Sequence, residues 1–393
     1  MSTAWPVQRL GAVATVSAGN SAPQDKSLFA GGTHTFIRTS DVGQIRVGEI
    51  RDSADKLNDL GIRGMRKFRE GVTLVPKSGA STFNNHRAIT AVEATVSSHL
   101  AVVDAHHGVL DDRYVFYFLQ TVRAQDLIGD QSYPSLNLTH LESVEIPVPP
   151  LAEQQRIVAK LETLLPEVEH GLSLVSQTKS KSDDLVLSSL SEVFERLASS
   201  PSRLYSEVAE LSLGKMLDRK KATGKNPTPY LRNVNVRWGA FDTSDVMEMD
   251  ITPSELDRVS VRQGDVVVCE GGEPGRCAVW REERSMAIQK ALHRMRPKPG
   301  IDSDYLALNL EYQIKCGTAK DLFTGTTIKH LTGEKLQFMT LPVPPLHEQQ
   351  EAVAQLNAVR QGADALRSVA DERRRTLLAM RQSVLAAAFR GDL

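Results

Sequence analysis

The stretch "IPVPPLAEQQ", starting at Ile146, is written again as "LPVPPLHEQQ" starting at Leu341, 195 positions further on. An internal repeat limits the possible folds more than any composition does, and this one extends beyond its ten residues at the same offset. Upstream, Leu141, Val144 and Ile146 line up with Leu336, Met339 and Leu341. Downstream, Val158, Leu161, Leu190 and Phe194 line up with Val353, Leu356, Leu385 and Phe389. Softer echoes come earlier in each half: "TFIRTSDV" with "PYLRNVNV", "REGVTLVPKSGA" with "RQGDVVVCEGGE", and "RYVFYFLQ" with "DYLALNLE". Each half reads as short alternating β segments, a small helix, a last strand, the Pro-Pro element and a long helix. The chain is a tandem duplication.

The repeated element works as a rigid elbow between strand and helix. A Pro-Pro pair stiffens an extended segment and stops it from continuing as a strand. Pro150 and Pro345 stand just before the helical run, where a missing N–H costs nothing. Glu153 and Glu348 then face the partial positive charge of the first helical turn. After the first elbow, Val158, Leu161, Leu165, Val168, Leu172 and Val175 step by three and four, falter at Lys179 and Ser182, and resume at Val186 and Val193. After the second, Leu356, Val359, Ala363, Leu366, Ala370, Arg373, Leu377, Met380, Val384 and Ala387 keep the same rhythm. This is a heptad seam. Each helix is predicted to run for about 45 residues, or roughly 65–70 Å at 1.5 Å per residue.

The predicted fold class is α+β: two tandem β-rich domains, each followed by a long α-helix, with the helices pairing as an antiparallel coiled coil of pseudo-twofold symmetry. The expected boundaries are 1–150 and 198–345 for the domains, 151–197 and 346–393 for the helices. The 393-residue length suits two or three domains. No stretch approaches the ~20 apolar residues that span a bilayer, and the start has no apolar leader core, so a cytoplasmic protein is expected. Cys269, Cys277 and Cys316 are too few and too irregularly spaced for a disulfide framework or a zinc template, and no cofactor or metal is expected. A net charge of −1 means that any DNA binding must rest on local patches.

This layout resembles the specificity subunit of type I restriction-modification systems over essentially the whole chain. The segments that carry the resemblance are "IPVPPLAEQQRIVAKLETLL", "LPVPPLHEQQEAVAQLNAVR", "TTIKHLTGEKLQFMTLPVPPL" and "IQKALHRMRP". The resemblance implies two target recognition domains, each reading one part of an interrupted DNA sequence. It also implies paired helices that act as spacer and as platform for two adenine-N6 methyltransferase subunits, with motor-nuclease restriction subunits joining that core and no catalytic centre in this chain. One departure stands out: the first half offers "YPSLNLTHL" where the second has "TTIKHLTGEKL".

Phosphate contacts call for Lys and Arg, and base contacts for donor-acceptor side chains on projecting loops. In the first domain the candidates are Arg63, Arg66, Lys67 and Arg69 in the densest basic cluster, with Ser78, Asn84, Asn85 and Arg87 in a polar loop. In the second they are Lys215, Arg219, Lys220, Lys221 and Lys225, the readers Arg232, Asn233 and Asn235, and the loop residues Arg276, Thr326, Thr327 and Lys329. The candidate partner surface is the expected exposed polar side of the helix starts: Glu153, Gln154, Gln155, Glu348, Gln349 and Gln350.

Several decoys point elsewhere and fail. "NPTPY" at Asn226 resembles the NPPY signature of amino-methyltransferases, but Thr228 splits the proline pair. "FAGG" at Phe29 lies in polar loop sequence, and "GGEPGR" lacks the Gly-Lys-Ser/Thr ending of a phosphate loop. His106 and His107 beside Gly108 suit a turn. The alternative from another class is a coiled-coil scaffold that binds proteins and no DNA.

Overall fold

The structure, a computed structural model, describes residues 5–128, 135–217, 224–325 and 329–393. It divides into two compact units, Met1–Val175 with Glu372–Leu393, and Ser176–Asp371. Each unit takes one β-rich domain and a share of both long helices.

In the first unit a five-stranded sheet has the order Ala14–Ala18, Leu100–Ala105, Thr73–Pro76, Arg87–Thr90, Val47–Ile50. A four-stranded sheet has the order Lys56–Leu57, His34–Ile37, Ala94–Val96, Lys67–Phe68. The second unit repeats this plan with Ala209–Leu213, Leu292–Pro297, Val266–Cys269, Cys277–Val279 in one sheet. Its other four-stranded sheet is Met247–Asp250, Pro227–Leu231, Met286–Ile288, Ser260–Val261. Central strands such as "LAVVDA" and "VVVC" are almost wholly buried, as near-continuous apolar runs should be when both faces are covered.

The strand of each elbow closes its own unit by pairing with the unit's first strand. Gln8 faces Ile146 in one, and Arg203 faces Leu341 in the other. A short helix then locks on. Asp111 caps Asp112–Leu119 by accepting from the backbone of Arg113 and Tyr114; Asp302 caps Ser303–Lys315 in the same way. Tyr114 donates its hydroxyl to the Pro147 carbonyl at 2.9 Å, and Tyr305 donates to Pro342 at 2.9 Å.

The long helices span Leu151–Leu197 and Leu346–Arg390 and start where the elbow predicts. In the first unit Ile157, Val158, Leu161 and Leu165 share a core with Leu385 and Ala388. In the second, Val186, Leu190, Val193 and Phe194 share one with Ala352, Leu356 and Ala363. The start of each helix therefore packs on the end of the other, and the pair is antiparallel. Ser182 does not interrupt the seam: it is buried, and its hydroxyl donates to the Thr178 carbonyl one turn back.

The second seam differs from the predicted one. Leu366 and Met380 are about half exposed and Arg373 is exposed. The places of Leu366 and Met380 are taken one residue later by Arg367, paired with Asp183, and Arg381, paired with Glu169. Long basic side chains lay their stems along the seam and carry the charge out to a carboxylate. A count of apolar residues picks the wrong neighbour there. Among the described residues no helix is long and apolar enough to cross a membrane.

Candidate nucleic-acid interface

In the second unit five separate stretches converge on one groove of about 580 Å³, lined by Met216, Leu217, Asn233, Gly271, Lys290 and His330 among others. Asn233 reaches it from the turn after Pro227–Leu231, and its side-chain amide donates to the Gly271 carbonyl at 3.0 Å. Arg276 holds the same turn from beneath, donating to the Asn233 carbonyl at 2.8 Å and to Glu273 at 3.0 Å. A Cβ on Gly271 would stand 2.9 Å from the His330 ring, so only glycine lets the imidazole sit there. His330 is fixed in turn by a two-way backbone bridge with Thr324. The groove thus joins the polar turn at Asn233, the "GGEPGR" loop and the segment at Lys329, which is exposed.

Other residues predicted for this unit have different work. Arg232 is tied to Asp245 at 2.7 Å. Asn235 is buried, accepts from the Arg232 backbone and donates to the carbonyls of Asp242 and Asp245, so it shapes the turn and reads nothing. Lys215 donates to Glu255 at 2.6 Å, and this bond holds the Glu255 pKa down to about 2. Lys225 is exposed. Arg219, Lys220, Lys221, Thr326 and Thr327 lie outside the described residues.

In the first unit Arg63 and Arg66 are exposed, and Lys67 is exposed beside Glu93 at 3.0 Å. Arg69 is clamped between Asp104 at 2.7 Å and Asp112 at 2.6 Å and is not a free cation. Asn84 is exposed, whereas Asn85 stands in a left-handed turn (φ 54°) and ties Ala124 and Gln125 to it. Ser78 pairs with Ser135 in a backbone bridge.

The expectation for Arg87 is corrected. It is only 2% exposed, and its guanidinium donates to the carbonyls of Leu119, Val122 and His86. Burial without a carboxylate pushes its pKa down to about 10. It fastens a helix end to the sheet and cannot meet a phosphate.

The partner surface is corrected as well. Gln154 and Gln349 are fully buried. Gln154 accepts from the Asp111 backbone at 2.8 Å and donates to the carbonyls of Val109 at 3.0 Å and Pro149 at 2.8 Å. Gln349 repeats the pattern with Asp302 at 3.0 Å, Gly300 at 3.0 Å and Pro344 at 2.9 Å. Each glutamine latches its helix to the loop that caps the neighbouring helix. Gln155 and Gln350 are exposed, Glu348 is half-buried, and Glu153 forms an ion pair with Arg156 at 2.7 Å.

Leu136 and the residues after it take the same place as Leu331 and the residues after that one. The Leu136 N–H donates to the Lys77 carbonyl at 2.7 Å, as Leu331 does to Glu270 at 2.7 Å. Short helices follow in both units, capped by Asn137 and Thr332. Asn20 was missed by sequence reasoning although the repeat offset places it opposite Lys215: its side chain takes both the N–H and the C=O of Arg66, each at 2.8 Å. Tyr230 of "NPTPY" is 2% exposed inside a paired strand, so its ring has no face to offer a base.

The type I restriction modification DNA specificity domain matches residues 3–174 and again 203–368. The chain belongs to that family. Among members of this specificity family it is 26% identical over 272 residues to the type I restriction enzyme EcoKI specificity subunit of Escherichia coli K12, covering 64% of this chain and 58% of that protein. It is 26% identical over 282 residues to the EcoBI specificity subunit of Escherichia coli, covering 64% and 59%. A putative type I specificity subunit of Haemophilus influenzae is 23% identical over 328 residues, covering 76% and 78%. The chain thus spans under three fifths of the length of the two Escherichia coli relatives. In fold it is similar to a chain from a structure of the type I R-M system that addresses complex assembly and conformational transition (TM-score 0.79, 22% identity, 100% of this chain and 99% of that one). It is also similar to the HsdS subunit of Thermoanaerobacter tengcongensis (TM-score 0.54, 22% identity, 100% and 98%).

Proposed function

We propose that this chain is the sequence-reading subunit of a type I restriction-modification complex. It binds an interrupted two-part DNA target and brings adenine-N6 methyltransferase subunits, and restriction subunits with them, to that target in the cytoplasm. The observation that carries this reading is that the DNA specificity domain matches both halves. The groove edged by the exposed Lys290 and the exposed arginines Arg63 and Arg66 support it, since they supply a side-chain donor in one unit and phosphate-seeking charge in the other. Segments 1–150 and 198–345 act as the readers, and 151–197 and 346–393 as spacer and platform for two methyltransferase subunits. Gln155 and Gln350, exposed on the helix starts, belong to that platform. The chain performs no chemistry of its own.

The test is a genome-wide adenine-methylation map of the host with the gene intact and deleted. An interrupted motif that disappears on deletion is the expected result. If no motif depends on the gene, and the chain purified with a methyltransferase shows no salt-dependent affinity for DNA, the reading fails and a protein scaffold remains. Within the same reading, Asn233→Ala, which releases the Gly271 carbonyl and loosens the wall of the groove, is expected to weaken recognition in the half-site of the second unit by about 1–3 kcal/mol and to leave the other half-site unchanged, measured by competition between single-base variants.

A further inference from the structure

The loop Asn58–Arg66 joins two features that seldom occur together on a surface. Its tip is apolar and open: Leu60 is 59% exposed. Its backbone is nevertheless pinned throughout. The Asn58 side chain accepts from the N–H groups of Leu60 (3.1 Å) and Gly61 (2.9 Å) and donates to the carbonyls of Ser27 (2.9 Å) and Ala30 (3.2 Å). A Cβ on Gly61 would lie 2.7 Å from the Leu28 carbonyl, so the chain presses against its support there. The far end is held by Asn20, which grips both polar groups of the Arg66 backbone. Asp59 meets His34 at 2.8 Å.

An exposed leucine on a floppy loop would fold back on itself; this one is fixed in the open. Arg63 and Arg66 follow it on the same loop, both exposed, the latter lying over the Phe68 ring at 4.6 Å. The second unit has no such loop at the equivalent place. There the helix Pro253–Val259 follows the edge strand, and Lys215, opposite Asn20 in the repeat, holds Glu255.

We propose that Asn58–Arg66 is a preformed wedge: Leu60 enters the stack between two base pairs of the half-site read by the first unit, with Arg63 and Arg66 on the flanking phosphates. The inference rests on the DNA-reading function proposed above. The two exposed arginines that follow the tip name the occupant: an apolar side chain with cations on one side matches an apolar base stack edged by phosphates, while the Asp59 carboxylate on the other side is held by His34 at 2.8 Å. Architectural DNA-binding proteins use leucine, isoleucine and methionine in this way. A loop ordered in advance loses no freedom on entry, which leaves the cost of unstacking to be met by the contacts the distorted duplex allows.

The test uses the full chain with its methyltransferase partner and duplexes carrying the motif from the methylation map. Each has 2-aminopurine at one position of the half-site read by the first unit, since this base brightens when unstacked. With the wild-type protein one step is expected to brighten. Leu60→Ala should lose that increment while binding within roughly tenfold of wild type, because an exposed side chain can be truncated without unfolding. Leu60→Met should restore it. Arg63→Ala with Arg66→Ala should weaken all sequences alike and lower the slope of log affinity against log salt by about two. If the duplex is bound but Leu60→Ala brightens every position as the wild type does, the wedge is overturned and the reading function stands. If the wild type binds and no step brightens, the wedge alone is overturned; if no motif depends on the gene and no duplex is bound, both fall.

Discussion

Replacing Gln154 with Leu is expected to cost about 2–4 kcal/mol, because the substitution strands a buried carbonyl at Pro149 and the half-buried Asp111 N–H and Val109 carbonyl. For a unit of this size that is a fall in melting temperature of roughly 5–15 °C. Gln155→Leu, one residue on and exposed, should stay within about 0.5 kcal/mol of wild type. Gln349→Leu and Gln350→Leu should behave as the same contrast in the second unit, where Asp302, Gly300 and Pro344 would be stranded. Thermal unfolding of the four variants without any partner decides the matter. If Gln154→Leu melts with wild type yet fails to co-purify with a methyltransferase, the glutamine is a partner contact and not a latch.

The second large effect concerns the spacing of the target. The reading proposed here makes the helices a ruler, and one heptad of helix is about 10 Å, or roughly three base pairs of duplex. Deleting seven residues from each helix, at paired positions, is expected to shorten the untouched gap in the methylated motif and leave both half-sites as they were. The methylation map reads this directly. A variant that still methylates with the original gap would sink the ruler. A changed half-site would show that the helices also help to shape the readers.

Much of the fold was legible because it is written twice. The offset that pairs Ile146 with Leu341 also pairs Leu136 with Leu331 and Asn20 with Lys215, and each pair has the same structural place. The match of "TFIRTSDV" with "PYLRNVNV" is equally concrete. The Arg38 N–H donates to Asp41 and the Arg232 N–H donates to Asn235, closing the same turn. What could not be read was which polar residues are spent inside. Gln154 finds two of its partners 43 and 45 positions away, and Arg87 finds two of its carbonyls 32 and 35 away. Residue type gives Gln155 and Gln154 the same prospects; only the tertiary fold separates them. The seam of the second helix departs from the reading at Leu366 and Met380 for a related reason, since Arg367 and Arg381 qualify for it through carboxylates on the other helix.

The share each unit takes of the long helices has a consequence for how the chain comes to be folded. The second unit is one continuous stretch, Ser176–Asp371. The first is not: Leu385 and Ala388 belong to its core, and Phe389 packs edge-on against Tyr114 and Phe118 at 5.1 and 5.3 Å. During synthesis at about 5–20 residues per second, the domain that leaves the ribosome first waits some ten seconds or more for its last pieces. The later one closes before it. A nonsense mutation or a protease cut near Glu372 would therefore spare the half made second and strip the half made first.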